Sequence, residues 1–516
     1  MTGTTPPGRT VALAELLADA LGIDPAGLPA MRVNGIAQDA ARVRPGHLFV
    51  ARVGLRRDGH DFLPEAVARG AACVVGTRDG VPGLAVPYVR VADDRLATSA
   101  LAAAFHGHPS RELVVCGVTG TDGKTTTATL LHHLLQGDET RPRASLLSTA
   151  VERIGAEGGP PELHFTTPEA TEVHAHLAAA RDAGARWAVL EASSHAASLQ
   201  RLAHVDFDLM AWTNLTPEHL DHHGSFEAYR EAKAGLVRQA AGAVLNRDDP
   251  SFAAFADAAV GRVTSYAIDA DADLRATDVT VSPSGLSFEL VTRGGRRRAR
   301  LPMIGRFNVA NALAALATAH RLGVPWETAL ERLAGFPGVP GRMQLVASDP
   351  VVVVVDFAHT PAGLAKALDA LRPRAPARLT VVLGAPGERD PANRPGLGAT
   401  ATRGADLAVF TEDDARSEPL DAILAAIVDG ARAAGGAEGR TFHVQPDRRR
   451  AIALALASAR PGDVVLLAGK GHERSLERGD GPVPWDEAAE ARAAVAALQA
   501  AAERGGGGGP AGGPGA

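Results

Sequence analysis

Residues 117–127 read GVTGTDGKTTT and follow directly on the apolar run 113–116. Glycines at a strand end let the main chain turn sharply and come close to phosphate oxygens. A helix opening at Lys124 would aim unpaired N–H groups, with their partial positive charge, at the same place. Lys124 has the reach to touch the outer phosphates of a nucleotide, and the Thr125 hydroxyl suits Mg²⁺. The spacing departs from the commonest phosphate loop, because Gly117 stands one residue too far from Gly123-Lys124 and Val118 fills its slot. The working core is therefore Gly120, Thr121, Asp122, Gly123, Lys124, Thr125 and Thr126.

Three further groups carry chemistry. Glu191-Ala192-Ser193-Ser194-His195 ends another apolar run, where a carboxylate can hold a hard cation or stand as a solvated loop acid. Residues 214–224 read NLTPEHLDHHG, placing His219, His222 and His223 close together. A zinc site there lacks cysteine or HExxH spacing, and Mg²⁺ with one histidine ligand fits better beside a nucleotide. Lys233 falls on a helical stretch and reads, from local sequence alone, as an ordinary surface lysine.

The elements that must position these groups follow from length and pattern. A chain of 516 residues, 46% hydrophobic, suggests about three domains with real cores. A formal charge of -6 argues against a general nucleic-acid binder. Cys73 and Cys116 sit in apolar runs and read as buried free thiols, which with no apolar export segment points to the cytoplasm. No stretch of about 18 uncharged apolar residues predicts a membrane span. Residues 1–108 form a first block, and 109–340 a second. In the second, runs at 113–116, 187–191 and 209–213 alternate with helical stretches, as in a doubly wound parallel sheet whose strands end in ligand loops. Residues 341–504 form a third α/β block, with strands at 351–356, 379–383, 407–410 and 464–467 and a dinucleotide-fold look. It carries no GxGxxG, so NAD is not inferred. Residues 505–516 are a Gly/Pro tail expected to be disordered.

The segments TGTDGKTTT, FTTPEA, LEASSHAASLQR, TNLTPEHLDHHG and EAYREAKAGL, in that order, resemble the Mur ligase family of ATP-dependent amide ligases. IGRFNVANALAA, PGRMQ, VVDFAHTPAGL, GERDPANRP, TEDDAR and AGKGHE extend the likeness over roughly residues 31–490. Within the family the likeness is to the UDP-N-acetylmuramoyl-tripeptide synthetases, which add the third residue of the peptidoglycan stem peptide. The resemblance implies the family's three-domain α/β architecture: a UDP-sugar-binding block, a P-loop-type central sheet, and an amino-acid-binding block. It implies ATP and Mg²⁺, the ions held by Thr125, Glu191, His219 and a carbamylated Lys233. Asn308, Asn311, Arg342 and Asp356 would serve ATP. Thr166, Thr167, Ser193, Gln200 and Arg201 would grip the UDP-N-acetylmuramoyl dipeptide. Arg389, Asp413, Arg416, Gly469 and Glu473 would bind the incoming amino acid. An arginine at 416 favours a distal carboxylate, hence diaminopimelate. A monomer without nucleic-acid partners is expected.

Departures mark where this chain differs. Asp122 replaces the family's usual asparagine, Asp39-Ala40-Ala41 replaces Asp-Ser-Arg, and Asp413-Asp414-Ala415-Arg416 replaces Asp-Asn-Pro-Arg. Asp414 adds negative charge that suits a distal amine. A ligase acting on a different acid, and a non-catalytic relative, are the alternatives these departures keep open.

Overall fold

The computed structural model describes residues 9–506 except 25, 27, 28, 55, 56, 138, 139, 160–165, 283 and 284. Phe165 of the FTTPEA segment lies outside the described residues, as does 507–516 of the tail; the last helix spans Glu487–Gly506. The chain divides into two compact units. One runs to Asp278 and includes Phe288–Ala299 and Val309–Ala334; the other comprises Val279–Ser287, Arg300–Asn308 and the chain from Gly335.

The first unit contains three sheets, the smallest being the antiparallel pair Val11–Ala12 and Arg32–Val33. Strands Gly35–Ala37, His47–Ala51, Cys73–Gly76 and Tyr88–Arg90 pair in parallel, in that order. Side chains alternate across a strand. Leu48 and Val50 therefore join one core with Leu13, Leu16 and Leu17 of helix Leu13–Leu21, while Phe49 and Ala51 join another with Leu63 and Ala66. Both faces are covered, which is why residues 48–51 read as a continuous apolar run. Gly22, at φ 64, ends helix Leu13–Leu21 in the left-handed conformation that glycine adopts without a Cβ penalty. The Asp93 carboxylate starts helix Asp94–Phe105 by accepting from the N–H groups of Arg95 and Leu96.

The parallel part of the larger sheet has the order Ala144–Leu147, Trp187–Glu191, Val114–Thr119, Leu209–Trp212, Gly242–Asn246, Arg262–Ala267, Leu274–Ser282. The chain enters at Val114–Thr119, fills the strands on one side, then crosses to fill the other. The strand order thus reverses beside Val114–Thr119, and a crevice opens at the carboxyl ends of strands at such a switch point. The glycine loop begins there because its strand is the first laid down.

The main sheet of the second unit has the order Gln344–Ala347, Val352–Asp356, Val464–Ala468, Leu379–Leu383, Leu407–Phe410, Phe442–Val444. Only the first pair is antiparallel. The edge strands Gln344–Ala347 and Phe442–Val444 are additions to the four strands anticipated from sequence. Cys73 and Cys116 are buried free thiols, and burial pushes the Cys73 thiol up to about 12. No helix among the described residues is long and apolar enough to cross a membrane.

Candidate active site

The loop after Val114–Thr119 is fixed from one side by residues 213–216. The Thr121 N–H donates to the Asn214 carbonyl (2.9 Å), the Asp122 N–H to Asn214 Oδ1 (2.9 Å), and Thr213 Oγ1 to the Asp122 carbonyl (2.6 Å). Close packing demands the glycines. A Cβ on Gly120 (φ +150) would stand 1.9 Å from Thr213 Oγ1, and one on Gly123 (φ +82) would stand 2.2 Å from Asn311 Oδ1. Helix Lys124–Gln136 then begins with its N–H groups at the loop. Lys124 folds back, donating from Nζ to the carbonyls of Gly120 (3.0 Å) and Thr121 (2.8 Å). Thr126 is buried in the same first turn.

Thr125 Oγ1 donates to the carboxylate of Glu191, 3.1 Å from each oxygen, and the Thr149 N–H donates to Glu191 Oε2 at 2.9 Å. Glu191 is buried, so the solvated-acid reading falls away. Lys233 is not a surface lysine either. It is 1% exposed, and its Nζ donates to the Gly120 carbonyl at 2.6 Å and lies 4.8 Å over the Tyr229 ring. Burial, then the charge of Lys124, pulls its pKa well below the ordinary lysine value, which favours the neutral amine. Sequence held a signal for this. Tyr229, Lys233, Leu236 and Val237 recur at helical spacing on the buried face of Phe226–Gln239. Tyr229, whose hydroxyl meets Thr121 Oγ1 at 2.9 Å, went unread for the same reason.

His219 has left-handed backbone (φ 55) and faces Glu218, Nε2 to Oε2 being 3.6 Å. Burial lowers its pKa, with Glu218 opposing and Lys124 and Lys233 assisting. The His195 ring lies 4.7 Å from His219, 4.2 Å from His222 and 5.7 Å from His223, centroid to centroid.

A second cluster adjoins Glu191. Thr167 Oγ1 donates to the Glu191 carbonyl (2.7 Å) and lies 3.1 Å from Ser193 Oγ, which itself caps helix Ser194–Ser198. Arg201 donates to the Thr167 carbonyl (2.9 Å) and pairs with Glu169 (2.6 Å); Arg52 pairs with the other oxygen of Glu169 (2.6 Å). Thr166 precedes this knot, and Gln200 sits in left-handed backbone at φ 57. Asp39 is spent locally, its carboxylate accepting from the Ala41 N–H at 2.9 Å.

In the second unit, Asp356 accepts from the N–H groups of Met343 (2.6 Å) and Ala358 (2.9 Å). Burial raises its pKa against the opposing Arg342, whose guanidinium lies 4.5 Å over Phe357. Asn308 is buried and donates to the Ile304 carbonyl at 2.7 Å. Lys470 gathers three carboxylates: Asp414 (2.6 Å), Glu473 (2.6 Å) and Asp413 (3.6 Å). Asp414 therefore serves an internal ion pair. Gly469 (φ +106) is obligatory because a Cβ there would stand 2.5 Å from Asp413 Oδ2. Arg416 (φ 52) donates to the Gly387 carbonyl at 2.8 Å, and Arg389 is exposed. Arg448, fully buried on Glu487 at 2.6 Å, had no sequence signal.

Three family models match the chain: Mur ligase family, catalytic domain, over 32–106; Mur ligase middle domain over 118–319; and Mur ligase, glutamate ligase domain over 341–471. The chain is 49% identical to a UDP-N-acetylmuramyl-tripeptide synthetase of Deinococcus radiodurans, over 90% of this chain and 95% of that protein. It is 41% identical to the UDP-N-acetylmuramoyl-L-alanyl-D-glutamate–2,6-diaminopimelate ligase of Gloeobacter violaceus, over 94% and 98%. A solved UDP-N-acetylmuramoyl-L-alanyl-D-glutamate–2,6-diaminopimelate ligase superposes with TM-score 0.67 at 30% identity, covering 95% of this chain and 99% of that one.

Proposed function

We propose a reaction for this chain, which belongs to the Mur ligase family and is an ATP-dependent ligase. It joins diaminopimelate to UDP-N-acetylmuramoyl-L-alanyl-D-glutamate in peptidoglycan synthesis. The observation that carries this reading is one loop served by three groups: Lys124 above it, the Thr125–Glu191 pair beside it and the buried Lys233 amine beneath it.

Residues 1–108 and 109–340 carry the UDP-sugar and ATP, and 341–504 carry the amino acid. The glycine loop and helix N-terminus cradle the triphosphate. Lys124 leaves its two carbonyls to meet the outer phosphates. Thr125 and Glu191 already share an oxygen-only pocket, the donor type Mg²⁺ prefers, so they would hold one ion. His219 and Lys233 would serve a second. The ions supply neutralisation of phosphate charge. Lys233, as a neutral amine, forms a C–N bond with CO₂ and releases a proton, becoming a carbamate anion.

The acceptor carboxylate attacks the γ-phosphorus, ADP departs, and an acyl phosphate remains. The amine of diaminopimelate then attacks the acyl carbon and inorganic phosphate leaves. Thr166, Thr167, Ser193, Gln200 and Arg201 orient the acceptor. Asn308, Asn311, Arg342 and Asp356 serve the nucleotide. Glu473 and Asp413 suit an ammonium, Arg389 and Arg416 suit a carboxylate, and Gly469 leaves room.

The test follows ADP release with the acceptor labelled by ¹⁸O in its carboxylate. ADP release needing both co-substrates, with label passing into phosphate, supports the reading. ADP release indifferent to the UDP-sugar, or phosphate without label, overturns it.

A further inference from the structure

A cavity of about 500 Å³ opens in the first unit where strands Gly242–Asn246 and Arg262–Ala267 end. These strands lie two and three places from Val114–Thr119 in the sheet, so the cavity is separate from the glycine loop yet on the same carboxyl edge. Its wall contains three arginines: Arg247, Arg275 and Arg293.

The arginines are underpaired. The Arg275 Nε is closed off from solvent and meets no acceptor among the described residues. The Arg247 guanidinium is steadied 4.4 Å over the Phe252 ring, a contact that orients it without neutralising it. Among the described residues Arg293 alone of the three reaches a carboxylate, Asp273 at 3.4 Å, and Asp273 already accepts from the N–H and Oγ of Ser265, each at 2.9 Å. Asp271, the other acid on the wall, is exposed. A guanidinium N–H shut away from both water and acceptor costs free energy, and arginines near a protein interior are normally paired. Arg296, Arg297 and Arg298 follow on the next strand, Gly295–Leu301, outside the cavity wall, and Arg297 there pairs with Glu327 (3.4 Å).

We propose that this cavity binds a multiply charged oxyanion, a phosphate ester or polyphosphate, gripped by Arg247 and Arg275 with Arg293 at the rim. Planar guanidinium forks match phosphate oxygens two at a time, and the volume admits more than a single phosphate group.

The test uses the full chain with its nucleotide loop filled by a non-hydrolysable ATP analogue and Mg²⁺, and inorganic pyrophosphate as the probe in calorimetry at low salt. One pyrophosphate per chain should bind, more weakly as salt is added. Arg247→Gln, which alters an exposed side chain, should weaken it about tenfold, and Arg247→Gln with Arg275→Gln should weaken it further. ADP-release kcat and the melting temperature of Arg247→Gln should stay at the parent's values. Absence of uptake by the nucleotide-filled parent, or undiminished affinity in Arg247→Gln, overturns the proposal.

Discussion

Lys233 in the first unit and Lys470 in the second are equally hidden, at 1% and 0% exposure, yet their surroundings push them in opposite directions. Lys233 has a carbonyl for a partner and a second lysine nearby, so burial prevails and its pKa falls. Burial acts on Lys470 too, but Asp413, Glu473 and Asp414 outweigh it and the pKa rises. Burial sets the size of the stake, and the partners decide which protonation state wins. One arrangement disfavours the charged form and so favours a reactive amine, while the other holds a cation that organises acids.

The largest effect should come from removing each amine. Lys470→Met strands three carboxylates in a poorly hydrated site and should cost about 3–5 kcal/mol in urea unfolding. Lys233→Met removes a group whose charged form burial already disfavours and should cost less than about 1 kcal/mol, while lowering ADP release by about 10²–10³-fold. Equal stability losses would break the contrast. So would ¹³C-labelled CO₂ appearing on Lys470, since the label should be found at Lys233 alone.

The glycines sharpen the comparison at smaller scale. Gly120→Ala drives a Cβ into Thr213, and Gly469→Ala drives one towards Asp413. Each forces positive φ on a side-chain residue, a strain of about 1–3 kcal/mol. Steady-state kinetics should show the first raising KM for ATP and the second raising KM for the amino acid, each about 5- to 100-fold. A crossed pattern would mean that the units do not divide the substrates as proposed.

Sequence made the first unit's site far more legible than the second's. A strand, a glycine turn and a helix start place residues 120–126 by local geometry alone, and Glu191 follows because its strand pairs beside that one. Lys233 demanded knowledge of which helix face is buried, and residue type argued the other way. In the second unit, Arg448 and Glu487 meet across 39 residues with no shared pattern. Asp414 looked like a charge offered to substrate because Lys470, 56 residues away, could not be seen as its partner. Strand Phe442–Val444 is three residues long, too short for alternation to register.

The smallest effect concerns acid. His174 is wholly buried in the first unit with neither ring nitrogen partnered among the described residues, and burial, then His106, His204 and His108, lower it to about 3. His106, lowered by burial and then by Arg9 and Arg181, falls to about 4. Histidines depressed below the ordinary 6.5 leave stability intact above that pH. As pH falls below it, the unfolded chain takes up protons that the folded one refuses. The second unit's pull comes instead from carboxylates. Burial alone would raise Asp413, but Lys470 and Arg448 outweigh it, and the hydrogen bond from Arg394 holds Glu418 at about 2. Their contribution persists until pH drops below the ordinary carboxylate range near 4. The first unit should therefore begin to weaken at higher pH than the second. Trp187, Trp212 and Trp326 report on the first and Trp485 on the second, so Trp485→Phe isolates the first unit's fluorescence. Its urea midpoint should fall steadily from pH 6.5 to 4.5, and His174→Leu should remove up to about 1.4 kcal/mol of that loss per pH unit. An unchanged slope in His174→Leu would place the acid sensitivity elsewhere and leave the two units alike in this respect.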